Sequence, residues 1–139
     1  MISLSRPRLF QVAVPARASC AARVRRTVAA HLTLWQLSHL LDDAVLATDE
    51  LFANAVRHTG VGPGDSIAIV LEHDEHELRV TLSDPSPLLP RPRTSTAAAE
   101  SGRGLNIVAA LADDWGTAPP DPGIPGKKVW FSLVTGETA

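Results

Sequence analysis

The stretch ATDELFANAVRHTG, residues 47–60, decides how this chain is read. A helix advances about 100° per residue, so relative to Glu50 the side chain of Asn54 lies at about 40°, Arg57 at about −20° and His58 at about 80°. These four polar residues share one stripe. Val45, Thr48, Phe52, Ala55 and Thr59 recur at the three-four spacing of a core-facing stripe elsewhere on the cylinder, so packing does not require the polar group. A solvated face would account for the charged residues. It does not account for Asn54, because an asparagine inside a helix competes for backbone hydrogen bonds, and Lys, Gln or Glu serve solubility better. An interior Asn one turn from a Glu points to a ligand. Gly60 closes the helix as a C′ residue.

Working toward the N-terminus, Ser38 is placed as the N-cap of this helix, with Asp42 and Asp43 at the positive end of its dipole. Ala21, Val24, Val28, Leu32 and Trp35 predict an amphipathic helix from residue 16 to about 33, with Arg23, Arg25 and Arg26 pointing elsewhere. FQVAV alternates Phe10, Val12 and Val14 and is stopped by Pro15, which predicts a first strand. Toward the C-terminus, GVGPGD is turn chemistry, and SIAIVLEH and ELRVTLSD form two alternating runs around DEH, a hairpin. Ile67, Ile69 and Leu71 are in phase with Leu78, Val80 and Leu82. Ser66, Glu72, Arg79, Thr81 and Ser83 fall on the other face. The proline-rich PSPLLPRPRTSTAAAES has no sustained period and reads as a lid over about residues 85–103. In GRGLNIVAALADDWG, Leu105, Val108, Ala109 and Ala112 predict a third helix behind two glycines. TAPPDPGIPG is a turn, and KKVWFSLV alternates Val129, Phe131 and Leu133 as a closing strand, so the third helix is followed by a strand or two.

The expected architecture is a two-layer α/β (α+β) sandwich, with a mixed, mainly antiparallel sheet covered on one face by about three helices. The 139 residues, 45% hydrophobic, fit a single domain spanning 1–139 with its core over about 9–134. A formal charge of −2 gives no reason to expect nucleic acid or an anionic membrane as partner. The single Cys20 excludes an internal disulfide framework, MISLSRPRLFQVAVP lacks a signal-peptide pattern, and no run approaches membrane-spanning length. A soluble, cytoplasmic protein is the expectation.

Several groups of residues carry chemistry. Gly102 and Gly104 stand where a helix begins, the place at which unpaired N–H groups and the dipole favour phosphate and glycine admits close approach. No Gly-Lys-Ser/Thr follows, so this is not a P-loop, and GKK at 126–128 is no Walker motif. Asp84 ends a strand before Pro85, where it serves either as a turn cap or as an acceptor for an exocyclic amine. HDEHE at 73–77 has metal-ligand residue types but occupies the hairpin turn without helical spacing. Nothing resembles a nucleophile elbow.

Taken in order, ELFANAVRH, LSDPSP, the lid, GRGLNIVAALADDWG and GKKVWFSL resemble the ATP-binding domain shared by histidine kinases, gyrase and heat-shock chaperones, the Bergerat-type fold. Within that superfamily the chain is similar to the bacterial anti-sigma-factor serine/threonine kinases of actinobacterial type. The resemblance covers roughly residues 9–134, and the pattern Glu-x-x-x-Asn-Ala-x-x-His is met at Glu50, Asn54, Ala55 and His58. It implies ATP and Mg²⁺ as ligands, with Asn54 on the metal, Glu50 as general base, and Arg57 and His58 at the edge of the nucleotide site. Asp84 would read adenine, and Gly102, Arg103, Gly104 and Leu105 would meet the phosphates. Trp130 and Lys127 or Lys128 match the closing strand. The implied partners are proteins, a sigma factor and an anti-sigma-factor antagonist, with a homodimer open; nucleic acid and membrane are not expected. The family pattern Asp-x-Gly-x-Gly is here DPSP, Asp84 to Pro87, with both glycines replaced and two donors lost to proline. A kinase, a catalytically inactive nucleotide-binding or protein-binding module, and a bare ATPase are therefore the alternatives.

Overall fold

The computed structural model describes residues 7–58, 65–84, 105–124 and 126–136. Strand β1 (Arg8–Pro15) leads through a 3-10 turn, Ala18–Cys20, into helix α1 (Ala21–Leu34). A second 3-10 turn, Ser38–Leu40, leads into α2 (Leu41–His58), followed by β2 (Ser66–His73) and β3 (Glu77–Asp84). Residues 105–111 form α3, and β4 (Asp114–Ala118) and β5 (Lys127–Val134) complete the described chain.

The five strands run in the order β1-β2-β3-β5-β4. Each pairing is antiparallel, so the mixed sheet expected from sequence is corrected to an antiparallel one. Alternation does the sorting, as the pleat requires. Ile67, Ile69, Leu71, Leu78, Val80, Leu82, Phe131 and Leu133 are buried beneath Val24, Val28 and Leu32 of α1 and Ala44, Ala47, Thr48, Leu51, Phe52 and Ala55 of α2. The helices thus cover one face of an open sheet, the α/β sandwich expected from the sequence. On the other face, the Arg79 guanidinium lies 4.1 Å from the Trp130 ring centroid.

Strand β4 is the further strand that the sequence left open at the end of the chain. The helical pattern through DDWG ends at residue 111, and DWGTA pairs with β5, placing Gly116 opposite Trp130. A Cβ at Gly116 would approach the Trp130 ring to 3.3 Å, which is why a residue that disfavours strands stands mid-strand. Both helix entrances also differ from expectation. α1 begins at Ala21 after the 3-10 turn, and Ser38 is the first residue of its own 3-10 turn, with no side-chain cap bond there. Backbone bonds, Leu40 N–H to Leu37 and Leu41 N–H to Ser38, use the early groups that a hydroxyl cap would have served.

Helix α1 ends in a Schellman arrangement. The Leu37 N–H donates to the Leu32 carbonyl at 2.8 Å and the Gln36 N–H to the Thr33 carbonyl at 3.1 Å, which forces Gln36 to φ 62°. A side chain in this left-handed region costs about 1 kcal/mol. Gln36→Gly is therefore expected to raise stability by about 0.5–1 kcal/mol, a gain to be read from the midpoint of urea unfolding at unchanged slope.

The HDEHE segment is a turn. The Asp74 carboxylate accepts from the N–H groups of His76 at 2.7 Å and Glu77 at 3.0 Å, and these bonds hold its pKa below the ordinary carboxylate value. The described residues contain no cluster of three metal-ligating side chains. His73 turns to the helix side, its ring stacked 6.1 Å from Trp35, and burial lowers its pKa. Thr135 binds the same turn through the Glu75 and His76 carbonyls, tying the end of β5 to the hairpin.

Candidate functional site

Helix α2 brings its polar stripe to the C-terminal end of β3. Asn54 is only 7% exposed, so it is not on a wet face. Its Oδ1 accepts from the Arg57 guanidinium at 2.6 Å, while its Nδ2 is buried without a partner among the described residues. A buried amide donor left unpaired costs about 1–3 kcal/mol, and such groups ask for an explanation. Glu50, one turn earlier, is half-buried, and Arg57 is exposed beyond its contact with Asn54.

Asp84 shares the phase of Leu78, Val80 and Leu82, which carries its carboxylate to the helix side. Directly opposite in register stands Lys127, in phase with Val129, Phe131 and Leu133. Lys127 Nζ donates to Asp84 Oδ1 at 3.1 Å, with side chains 4% and 3% exposed. Of the two lysines left open in the sequence, Lys127 faces the cavity, whereas Lys128 points away and pairs with Asp121 at the surface. The signal was available in the alternation, since only Lys127 lies in phase with the core residues of β5.

Asn54, Asp84 and Lys127 line one cavity with Leu51, Leu82 and Leu105, and its volume is about 20 Å³, the scale of a single water molecule. Of the residues singled out in the sequence, Asn54, Asp84 and Leu105 meet there. Arg57 joins through Asn54, and Glu50 stands one turn away on α2. The His58 side chain, Gly102, Arg103, Gly104, the lid and the Gly60 helix stop lie outside the described residues. Larger hollows exist. One of about 590 Å³ lies among Arg8, Glu72 and Arg79 at the other end of the hairpin strands. Buried His73 Nδ1 and Arg79 Nε lie there without hydrogen-bond partners among the described residues, but the unpaired Asn54 amide and the buried Asp84–Lys127 pair belong to the smaller cavity.

The cavity lies between the end of α2, the end of β3, the start of β5 and α3. The family model of the histidine kinase-like ATPase domain matches residues 14–133. The chain belongs to that family. No curated protein matches it significantly. The matched span runs from β1 to β5, so every element that lines the cavity of this histidine kinase-like ATPase domain falls inside it. Membership in this family implies ATP as the ligand class. Among the described residues, no helix is long and apolar enough to cross a membrane.

Proposed function

We propose that this domain binds Mg·ATP at the Asn54–Asp84 cavity and acts as a serine/threonine protein kinase of the anti-sigma-factor type. In this reading it phosphorylates an antagonist protein and holds a sigma factor by protein contact. The observation that supports it most is the meeting of three separate elements on one cavity: Asn54 from α2, Asp84 from β3 and Leu105 from α3.

Each residue has a role that its chemistry allows. Asp84, acceptor-only when ionised, takes a hydrogen bond from the exocyclic amine of adenine. Asn54 suits a hard cation through Oδ1, and its unpaired Nδ2 marks an amide whose hydrogen bonding is incomplete without a ligand. Mg²⁺, when bound, neutralises phosphate charge. Arg57, which donates to Asn54 Oδ1, is exposed and long enough to turn toward phosphate oxygens instead. Glu50 accepts the proton of the attacking hydroxyl, His58 stands at the edge of the site, and the backbone of Gly102, Arg103, Gly104 and Leu105 meets the phosphates. Phosphoryl transfer is mostly positioning and charge neutralisation, so no further special residue is required. Partner recognition and self-association come from the resemblance alone.

Calorimetric titration with ATP, with and without Mg²⁺, is the direct test. Wild type is expected to bind at micromolar Kd or tighter, and Asn54→Ala to lose at least tenfold in affinity in the presence of Mg²⁺ while changing little in its absence. If Asn54→Ala keeps the full Mg²⁺ enhancement, Asn54 is not the metal ligand. Phosphotransfer to candidate antagonists then separates a kinase from a module gated by nucleotide. Tight ATP binding with no phosphoserine or phosphothreonine on any partner would leave the second, and phosphate release without a partner would indicate a bare ATPase.

A further inference from the structure

We propose that Lys127 is a second base-reading residue, donating from its ammonium to the ring nitrogen beside the exocyclic amine that Asp84 reads. The inference rests on the nucleotide reading above and adds to it a residue that selects the base.

Three observations lead there. The first is placement. Lys127 faces the core side of β5, opposite Asp84, and lines the cavity with the unpaired amide of Asn54. The second is energetic. A buried ion pair usually stabilises a fold no better than apolar residues of similar volume, and the neighbouring in-phase positions are Leu82 and Val129. Packing alone would have been met by another pair of that kind. The third is chemical pattern. A carboxylate accepts only and an ammonium donates only, so the two side chains present an acceptor beside a donor, 3.1 Å apart. Adenine presents the complement along one edge, a donor at its 6-amino group and an acceptor at N1. A lysine suits this better than an arginine, because a single ring nitrogen needs one compact donor on a flexible stem rather than a planar fork.

The cavity volume of about 20 Å³ is smaller than a purine, so its lining must rearrange to let a base in, and we assign that movement to the Lys127 ammonium. Its four-carbon stem allows that movement, and a carboxylate has about four lone-pair directions, so Asp84 can accept from Lys127 and a base together. The ammonium then passes from filling the cavity to contacting the base.

The test uses the whole chain and two nucleotides, ATP and 1-deaza-ATP, which keeps the 6-amino group but replaces N1 with C–H. Wild type is expected to bind 1-deaza-ATP at least tenfold more weakly than ATP, and Lys127→Met to bind the two within twofold of each other. Equal affinity of wild type for both nucleotides would overturn the proposal. So would a tenfold preference for ATP that persists in Lys127→Met or in Lys127→Gln, with folding checked by circular dichroism. Equal affinity in the wild type overturns the proposal without either variant, whereas a wild-type preference is assigned to Lys127 by its loss in Lys127→Met or Lys127→Gln. Failure of wild type to bind ATP at all would overturn the nucleotide reading itself, and with it this inference. That outcome is distinct from binding without discrimination at N1.

Discussion

Asp84→Ala is expected to abolish measurable ATP binding and to lower folding stability by about 3–5 kcal/mol, the usual cost of stranding one member of a buried ion pair. The reason lies in Lys127. Its ammonium is 4% exposed and donates to Asp84 at 3.1 Å, so removing the carboxylate leaves a charge in a cavity no larger than one water. Lys127→Met should be destabilising by a similar mechanism, with the carboxylate now unpaired. The informative experiment combines them. Asp84→Leu with Lys127→Met removes both charges at once, and replacing a buried pair with apolar side chains is often neutral or stabilising. The double variant should therefore return to within about 1 kcal/mol of wild type in urea unfolding while remaining unable to bind ATP, a coupling that a double-mutant cycle with single Asp84→Leu and Lys127→Met reads directly. Single variants within about 0.5 kcal/mol of wild type would show that the pair reaches water and is not buried in solution.

The second large effect is expected at Phe131. This residue is fully buried and stands opposite Val80 on β3 and Trp115 on β4, where the core side of the sheet meets the helices. Phe131→Ala should cost about 3–5 kcal/mol, combining lost transfer energy with the cavity left behind. Its sequence neighbour supplies the control. Trp130 faces the open side of the sheet beneath Arg79, and Trp130→Ala removes a cation–π contact with a typical value of about 0.5–1 kcal/mol together with partly exposed area. The two adjacent aromatic residues should thus differ several-fold in effect, as measured by denaturant midpoints with slopes checked for constancy. Comparable losses at both positions would mean that the open face of the sheet is covered in solution.

Much of this molecule was legible in its sequence because period and phase report directly on burial. The helices of residues 21–34 and 41–58 follow from three-four spacing, and the hairpin around Asp74 from two alternating runs separated by a polar tripeptide. Asn54 stood out because it opposes helix propensity, and the structure buries it with an unpaired amide nitrogen. What escaped was decided by contacts distant in sequence. Strand β4, open in the sequence as one of a strand or two, has five residues with Gly116 inside, and its place is explained only once Trp130 is known to lie across from it. The 3-10 turn before α2 takes backbone donors that the sequence assigned to a Ser38 cap, and the one before α1 delays a helix expected from residue 16. The choice between Lys127 and Lys128 needed the phase of β5 together with the register that sets Asp84 opposite Lys127.

The strand order carries a consequence for how the molecule is made. β5 lies between β3 and β4, so the last described strand of the chain fills a central position in the sheet. Lys127 is separated from Asp84 by 43 residues, and the cavity lacks one wall until that strand is in place. Contacts at such separation form late, because the loop between them must be closed before they contribute. During synthesis the helices and the β1-β2-β3 meander can collapse first, with β3 presenting an open edge and Asp84 without its ion-pair partner. Nucleotide therefore cannot act as a template for the early stages of folding. It can only stabilise a chain whose residues 127–134 have already emerged and docked, which makes ATP a ligand of the completed domain.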